Sequence, residues 1–395
     1  MGEMRMIRVA IIGTGGISNA HIQAYLQFPE RCQIVALVDI IPEKAEKMKE
    51  TYHLTEAQVY DSHQKILQLG TIELADISTP PYVHASIAID CLKAGMNVVC
   101  EKPMAASLEE CDAMLRARDE SGKLLSIIAQ NRFRQPIRDL KELLDSGIAG
   151  PIRSAQVDSF WWRGHCYYDL WWRGTWEKEG GGCTLNHAVH HIDMLLWMMG
   201  MPESVTSLLA NVAHDNAEVE DLSTSVLRDP GALAQLTASV VHHGEEQQLV
   251  FQCEKAKIAA PFSCFASTSM ANGFPERDKQ LEQEIAAFVA ARPVVQWEGH
   301  TGQLENVLSA LEHGTQPAIT GEDGRRTIEL ICAIYKSGSE GKTVQLPLQK
   351  NDPFYTVAGI QRSVPHFYEK TTSVVSLDGE ITLGSTYQEK GEIAR

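Results

Sequence analysis

The feature that most constrains this chain is a glycine-rich turn near its N-terminus. An uninterrupted apolar run, Ile7–Ile12, leads into the turn Gly13–Ser18 (G-T-G-G-I-S), and a helical pattern over Ile17–Leu26 follows. This order is typical of the first unit of a dinucleotide-binding fold, where the first glycine permits a tight turn and the second lets the backbone approach a pyrophosphate. Ser18 stands at the position of the third glycine, where a small residue still allows close helix packing.

The second predicted strand indicates which dinucleotide binds. Gln33–Asp39 is apolar between its first and last residues, and Asp39 follows Ser18 by 21 positions. A carboxylate there binds the ribose hydroxyls of NAD and repels the 2′-phosphate of NADP. We therefore predict NAD as the cofactor. Nearby Lys44 would weaken the preference for NAD over NADP.

Strand and helix patterns continue to alternate over residues 1–125, which predicts a doubly wound parallel sheet, the Rossmann fold. Because parallel strands are buried on both faces, they are short and almost wholly apolar. Further strands are predicted over Leu74–Ser78, Asn97–Cys100 and Leu124–Ala129, and helices over Pro42–Glu50, Val83–Ala94 and Leu108–Ser121.

Residues 126–348 lack this regular alternation and predict a second, α+β domain with a mostly antiparallel open sheet. Residues 349–395 are polar with scattered aromatic residues, and we interpret them as an extension that wraps a neighbouring subunit or is disordered. The predicted strands of the second domain are Ile152–Phe160, Leu233–His242, Gln248–Cys253 and a short one within Gly341–Leu346, and its helices are Ile137–Ser146, Leu304–Glu312 and Arg325–Ser337.

The composition excludes several classes of protein. The 395 residues are 44% apolar and 22% charged, as in soluble proteins, and contain no apolar run of membrane-spanning length. A net charge of −16 disfavours nucleic-acid and membrane partners. Nine scattered cysteines without a C-x-x-C pair, and an N-terminus without a secretory signal, predict a cytoplasmic protein with reduced thiols.

A lysine and a histidine are the candidate acid–base groups. Lys102 follows the strand Asn97–Cys100, and ligands of open α/β sheets bind at the carboxyl ends of strands. Near a cationic nicotinamide ring its pKa would fall, so that it can exchange a proton. His190 lies four residues after Asn186 in a predicted helix that follows three glycines, so one helical face would present an imidazole and an amide to a substrate.

Two other interpretations of this histidine-rich segment stay open. One is a metal site formed by His187, His190, His191 and Asp193. Hydride transfer to NAD requires no metal ion, and we predict none. A structural role is more apt for His187 and His191, which point elsewhere on the helix.

Five of the seven tryptophans fall within the stretch Trp161–Trp176, together with two arginines. Indole faces stack on the C–H faces of sugars, while arginines bind hydroxyl groups, so we interpret this stretch as carbohydrate-binding. A local hydrophobic cluster or a subunit interface is the alternative. Arg132, after the last Rossmann strand, is a further candidate for substrate contact.

In these motifs the chain resembles the glucose–fructose oxidoreductase/inositol dehydrogenase/MocA family over residues 7 to 346. The matching elements occur in the family's order: the glycine turn followed by His21, the segment Ser78–His84, Glu101-Lys102-Pro103, and the glycine–histidine segment that ends in Asp193. The combination of Glu-Lys-Pro with a later H-x-x-D is specific to the family.

The resemblance implies an NAD(P)-dependent dehydrogenase that acts on sugars, inositols or related polyols, with Lys102 and His190 as its catalytic residues. It also implies homodimers or homotetramers formed through the C-terminal sheet. Asn186 departs from the aspartate that family members often carry, and asparagine cannot accept a proton. Family members with asparagine at this position resemble nucleotide-sugar and glycoside 3-dehydrogenases. The resemblance therefore favours oxidation at C3.

The predicted reaction transfers a hydride from a substrate alcohol carbon to NAD, while Lys102, His190 or both take the hydroxyl proton and Asn186 orients the substrate. The alternatives are a redox-assisted lyase or hydrolase that recycles NAD, a transferring oxidoreductase with a tightly held cofactor, and a non-catalytic NAD or sugar sensor. The predicted cofactor-binding residues are Gly13, Thr14, Gly15, Gly16, Ile17, Asp39, Ser78, Thr79, Pro80, His84, Glu101, Lys102 and Gln130, and the predicted substrate-binding residues are Lys102, Arg132, Trp162, Arg163, Trp172, Arg173, Asn186, His187 and His190.

Overall fold

A computed structural model describes residues 6–375 and 377 of the chain. The chain forms two compact units. The first contains the residues up to Arg138 together with Pro293–Glu329, and the second contains Asp139–Arg292 and the residues from Leu330 onward.

The first unit is built on a six-stranded parallel sheet in the order β3-β2-β1-β4-β5-β6. This is the strand order of the Rossmann fold, with the strand order reversing beside β1. The predicted N-terminal fold is therefore confirmed. Its strands are β1 (Ile7–Ile12), β2 (Cys32–Val38), β3 (Gln58–Tyr60), β4 (Leu74–Ile77), β5 (Asn97–Cys100) and β6 (Leu125–Ile127).

Helices of this unit come from both ends of the sequence. Within the apolar core, β1 and the first helix, α1, pack with four residues of a late helix, Leu304, Val307, Leu308 and Ala310. The helices are α1 (Ser18–Tyr25), α2 (Pro42–Thr51), α3 (His84–Lys93), α4 (Leu108–Ser121) and the late helix, which is α9 (Gly299–His313) in chain order.

The packing of α9 differs from the predicted division of the chain, which assigns residues 293–329 to the second domain. Arg31 donates hydrogen bonds to Glu305 and Glu312 of α9 at 2.8–2.9 Å. The buried Gln303 accepts from the Ala129 N–H at 2.9 Å and donates to the Ile127 carbonyl at 2.8 Å. The chain thus returns to its first unit after crossing the second.

The second unit is built on a nine-stranded sheet in the order β14-β13-β12-β11-β7-β10-β9-β8-β15. All its pairings are antiparallel except β7 with β10, so the predicted mostly antiparallel sheet is confirmed. Its strands are β7 (Ile152–Phe160), β8 (Ser204–Ala210), β9 (Leu222–Asp229), β10 (Ala232–Ser239), β11 (Gln247–Cys253), β12 (Ala256–Ala260), β13 (Ser263–Ser269), β14 (Pro275–Arg277) and β15 (Val344–Gln345).

Burial alternates along several of these strands, as expected where one face of a sheet is covered. The apolar helix α7 (Val189–Met199) packs on β7. Leu208, Val226, Leu233 and Phe265 are each at least 47% exposed on their strands. Pairing of two copies through this sheet stays a prediction. The other helices are α5 (Gln135–Ser146), α6 (Cys183–Asn186), α8 (Lys279–Ala290), α10 (Gly321–Glu340), which crosses the boundary between the units as α5 does, and α11 (Val357–Ser363).

The first part of the extension packs on its own chain. Phe354, Tyr355 and Ile360 are buried in the second unit, and Lys336 pairs with Asp352. Disorder is therefore excluded for the described residues 349–375, while residues 376 and 378–395 lie outside the described part. None of the helices in the described ranges is both long and apolar enough to cross a bilayer.

We expect Gln303→Leu to destabilise the protein by roughly 2 kcal/mol or more, because the Ala129 N–H and the Ile127 carbonyl would lose their partners, at about 1–3 kcal/mol for each buried group. Urea unfolding measures this. The matched control is Gln64→Leu, whose side chain is exposed and should cost less than about 0.5 kcal/mol. Equal stability of the two variants would contradict the proposed role of the Gln303 amide.

Candidate active site

The glycine turn lies at the carboxyl edge of the parallel sheet. Gly13 has a φ of +94°, and a Cβ there would lie 2.6 Å from the Ser78 carbonyl oxygen, so only glycine fits between β1 and the loop that follows β4. A Cβ on Gly15 would meet nothing within 4 Å. Gly15 therefore leaves open the space through which a pyrophosphate would approach the backbone.

Asp39 is held rigidly beside this turn. Its Oδ2 accepts hydrogen bonds from the backbone N–H and the hydroxyl of Thr14 at 2.9 and 2.7 Å, and its Oδ1 accepts from the Ile41 N–H at 2.9 Å. The carboxylate is thereby oriented next to the glycine turn, as ribose binding requires.

The loop after β4 is tied to the loop after β5. Both ring nitrogens of the buried His84 lie 2.8 Å from carbonyl oxygens, those of Thr79 and Pro103. Through these contacts His84 links the two loops. Its contact with the cofactor stays a prediction.

Two predicted cofactor-binding residues carry buried polar atoms that the described residues do not satisfy. The Thr79 hydroxyl and the Gln130 carbonyl oxygen are both buried without a hydrogen-bond partner. Such atoms are rare unless a ligand or water completes them. Together with the open Gly15 and the fixed Asp39, they fit a bound dinucleotide.

A buried ionic cluster lies beneath these loops. The His21 ring, on α1, binds Asp76 Oδ2 through Nδ1 at 2.9 Å and Glu101 Oε1 through Nε2 at 3.0 Å. Tyr25 also donates to Asp76, at 2.8 Å. The second oxygen of Glu101 accepts the backbone N–H of Lys102 at 3.0 Å. The candidate catalytic lysine is thus anchored through its backbone to a carboxylate that a buried histidine holds.

The charges in this cluster stabilise one another. Burial alone would lower the pKa of His21, but Asp76 and Glu101 outweigh it and raise that pKa to about 10, so the ring is a cation. Burial would raise the pKa of Glu101, yet His21 and His300 hold it well below its usual value.

His21, Glu101 and His300 also have the residue types of a metal site. One ligand atom from each lies within 4.8 Å of the others, which makes them a candidate metal-binding group among the described residues. However, metal binding needs a deprotonated His21 ring. The two carboxylates favour its protonated form, so we interpret the group as an ion pair. Within the described ranges, the residues His187–Asp193 form no comparable group.

In the second unit, the three glycines begin the segment that carries the candidate histidine. A Cβ on Gly181 would lie 2.2 Å from the Tyr335 hydroxyl, and one on Gly182 would lie 1.9 Å from the Glu220 carbonyl. The buried Glu220 carboxylate accepts the N–H groups of Gly182 and Thr184 at 3.1 and 3.0 Å. Burial raises the pKa of Glu220 to about 7. Gly181 thus leaves room for the Tyr335 hydroxyl, and Gly182 for the backbone and carboxylate of Glu220.

The structure breaks the predicted continuous helix between Asn186 and His190. α6 ends at Asn186 and α7 begins at Val189, and the Ala188 N–H reaches the Cys183 carbonyl five residues back. The Asn186 amide donates to the Gly181 carbonyl at 2.8 Å. Asn186 and His190 are both half-buried.

The neighbouring histidines have different surroundings. Burial lowers the pKa of His191 to about 4, so this ring is neutral within the apolar core. His187 is buried too, and its Nε2 lies 3.2 Å from the Tyr167 hydroxyl. The structural role expected for His191 is consistent with its burial.

In the aromatic segment, residues 161–176, arginine side chains lie against aromatic rings. The Arg173 guanidinium lies 4.1 Å from the Trp172 ring centroid and 4.2 Å from that of Tyr167, and it pairs with the buried Glu179 at 2.7 Å. Trp172 and Tyr167 therefore contact a charged group, which a purely hydrophobic cluster would exclude.

Other predicted substrate-binding residues are held by acidic partners or lie at the surface. Arg163 donates to Glu245 at 2.5 Å, and Trp162 is 44% exposed, stacked on His243. In the first unit the buried Arg132 pairs with Asp323 at 3.3 Å. Contact of these residues with a substrate stays a prediction.

Four residues of these clusters were not predicted from the sequence: Asp76, Tyr25, His300 and Glu220. Asp76 could have been identified, because a carboxylate inside the buried strand L-A-D-I requires a partner. The other three interact through tertiary contacts with residues distant in sequence.

Comparison with known proteins agrees with this geometry. Residues 7–128 match a family model described as oxidoreductase family, NAD-binding Rossmann fold, and residues 137–259 match the C-terminal domain of the same family. The fold and the glycine-turn site thus define an oxidoreductase with an NAD-binding domain. The chain belongs to the Gfo/Idh/MocA family, as the sequence motifs indicate.

Three relatives illustrate the range of that family. The solved WlbA dehydrogenase of Bordetella pertussis, in complex with NADH and UDP-GlcNAcA, is 29% identical with a TM-score of 0.75, covering 87% of this chain and 99% of that one. The 2,7-anhydro-N-acetylneuraminate hydratase of Mediterraneibacter gnavus is 25% identical (87% of this chain, 97% of the relative). The scyllo-inositol 2-dehydrogenase (NADP(+)) IolW of Bacillus subtilis is 27% identical (86% and 96%).

We expect His21→Leu to lower the free energy of unfolding by about 3–5 kcal/mol, since the carboxylates of Asp76 and Glu101 would stay buried without their cation. The wild-type protein should also depend on pH. Because folding raises the pKa of His21 from 6.5 to about 10, the stabilisation is fully present below pH 6.5 and is lost as the pH rises through about 10.

Urea unfolding across that pH interval tests both statements. His313→Leu, an exposed histidine of α9, is the control and should change stability by less than about 0.5 kcal/mol. A His21→Leu protein as stable as this control would refute the ionic cluster.

Proposed function

We propose that this protein is an NAD-dependent dehydrogenase that oxidises a secondary alcohol of a sugar, glycoside, inositol or related polyol, with Lys102 and His190 as acid–base groups. One observation carries the proposal. The carboxyl edge of the parallel sheet brings together the glycine turn and Lys102, whose backbone N–H is fixed on the buried Glu101 carboxylate. Ligands of such sheets bind at this edge.

When bound, NAD supplies the hydride acceptor. The backbone of Gly13–Ile17 would hold its pyrophosphate, Asp39 its ribose, and Thr79 and Gln130 would contribute their unsatisfied polar atoms. The neutral amine of Lys102 would take the proton of the substrate hydroxyl as the C–H bond breaks. Proton transfer by a positioned side chain contributes about 10²–10⁴-fold to a rate.

The second unit would supply substrate contacts. We propose that His190 shares the proton transfer, that Asn186 orients a neighbouring hydroxyl, and that Trp172 and Arg173 bind the ring. Support comes from the half-buried positions of Asn186 and His190, and from the placement of a guanidinium between aromatic rings. The relative solved with UDP-GlcNAcA favours a sugar substrate. We propose C3 as the oxidised carbon on the resemblance that Asn186 carries.

A second candidate function is a redox-assisted lyase or hydrolase, in which NADH returns the hydride and no net oxidation occurs. The relationship to a 2,7-anhydro-N-acetylneuraminate hydratase favours it. A transferring oxidoreductase would retain nucleotide through purification. A sensor would need no acid–base lysine and would show no turnover at all.

We expect Lys102→Ala to lower turnover at least about 100-fold while NAD still binds, because the alanine cannot accept the hydroxyl proton. Absorbance at 340 nm with NAD and a panel of monosaccharides, glycosides, inositols and nucleotide sugars measures turnover. Lys93→Ala, at an exposed lysine of α3, is the control and should keep wild-type turnover. Undiminished turnover in Lys102→Ala would remove Lys102 from the mechanism, and product formed without NADH would favour the lyase.

The Asp39 carboxylate should set the preference for NAD. We expect the wild type to favour NAD over NADP by kcat/KM, and Asp39→Ala to reduce this ratio about tenfold or more, since hydrogen bonds to charged groups contribute about 1.5–3 kcal/mol. Asp61→Ala, at an exposed aspartate, should leave the ratio unchanged. Equal use of both cofactors by the wild type would contradict this role of Asp39.

A further inference from the structure

The extension crosses the aromatic segment of the second unit. Residues 365–374, which we call the C-terminal strap, pair with it as a short parallel bridge. The Val374 N–H donates to the Asp169 carbonyl at 2.7 Å, and the Trp171 N–H donates to the Val374 carbonyl at 2.9 Å. The ammonium group of Lys370 donates to the Tyr168 carbonyl. The strap thus holds the backbone on either side of Leu170.

One buried amide joins the strap to this segment. Asn216, which is 4% exposed, accepts the N–H groups of Thr371 and Thr372 through Oδ1 at 2.8 and 2.9 Å. Its Nδ2 donates to Asp169 Oδ1 at 2.7 Å and to the Thr372 carbonyl at 3.0 Å. A single side chain therefore satisfies four groups, from the strap and from the aromatic segment at once.

The far end of the segment is fixed in the same way. The indole N–H of the buried Trp176 donates to the Pro365 carbonyl at 3.1 Å, and the Phe367 N–H donates to the Glu218 carbonyl at 3.0 Å. Trp172 and Arg173, the proposed substrate contacts, lie between these anchor points in sequence. Outside its short 3-10 turn, His165–Asp169, residues 170–176 of the segment form no helix and no named strand of their own.

We propose that the strap and Asn216 are positioning elements for substrate binding: they fix Trp171, Trp172 and Arg173 in the conformation that receives the substrate. This inference rests on the proposed function of the aromatic segment in substrate binding. A loop that is already ordered binds a ligand without the entropic cost of becoming ordered on binding. The strap therefore increases the affinity for the substrate. None of the strap contacts described above involves Lys102 or His190.

The test uses the full-length protein with Asn216→Ala and Val374→Pro, the second of which removes the N–H that bonds to Asp169. We expect faster amide hydrogen exchange over residues 168–176, and a KM for the sugar substrate raised about tenfold, as loss of preorganisation predicts. The kcat and the KM for NAD should stay within about twofold of wild type, because the proton-transfer residues are untouched.

Glu369→Ala, at an exposed strap residue, is the matched control and should behave as wild type in both measurements. Faster exchange with an unchanged KM for the sugar would show that the strap is purely structural and would overturn the proposal. Unchanged exchange in Val374→Pro would also overturn it. Should Asn216→Ala fail to fold, the strap variant Val374→Pro decides. If the wild type oxidises no compound of the panel, the proposed function falls, while exchange still decides whether the strap orders the segment.

Discussion

The buried ion pair of His21 with Asp76 and Glu101 is the interaction on which the rest of the first unit depends. His21 lies on the helix after the glycine turn, Asp76 on the fourth strand, and Glu101 immediately before Lys102. Charges inside a protein are tolerated only when they are paired. The cluster therefore fixes the three segments relative to one another, and with them the backbone of the candidate catalytic lysine.

The second unit has a comparable arrangement, in which one buried carboxylate accepts several hydrogen bonds. Glu220 accepts two backbone N–H groups of the glycine segment and the hydroxyl of Tyr335, and burial raises its pKa to about 7. It shapes the turn that precedes Asn186 and His190. In each unit, a buried acidic group orders the backbone beside a candidate catalytic residue.

Much of the fold was predictable where burial leaves an apolar pattern. The bounds of β1 and α4 agree with the prediction, because parallel strands and capped helices carry strong local signals. The strands β8 and β9 were missed since their buried positions include Ser207 and Ser225, whose hydroxyls bond to each other at 2.9 Å and so need no apolar side chains. The break between α6 and α7, where the Ala188 N–H bonds to the Cys183 carbonyl, was missed too, because neither glycine nor proline marks residues 187–188.

The sequence by itself determined the doubly wound parallel sheet, the cofactor class, the family and the residue types of the candidate site, because these depend on local periodicity and on motifs a few residues long. Only the tertiary structure decided that α9 returns to the first unit, that His21 is a buried cation, and that the extension folds back over the aromatic segment. Each of these depends on side chains more than fifty positions apart, and no local pattern encodes which distant partner satisfies a buried polar group.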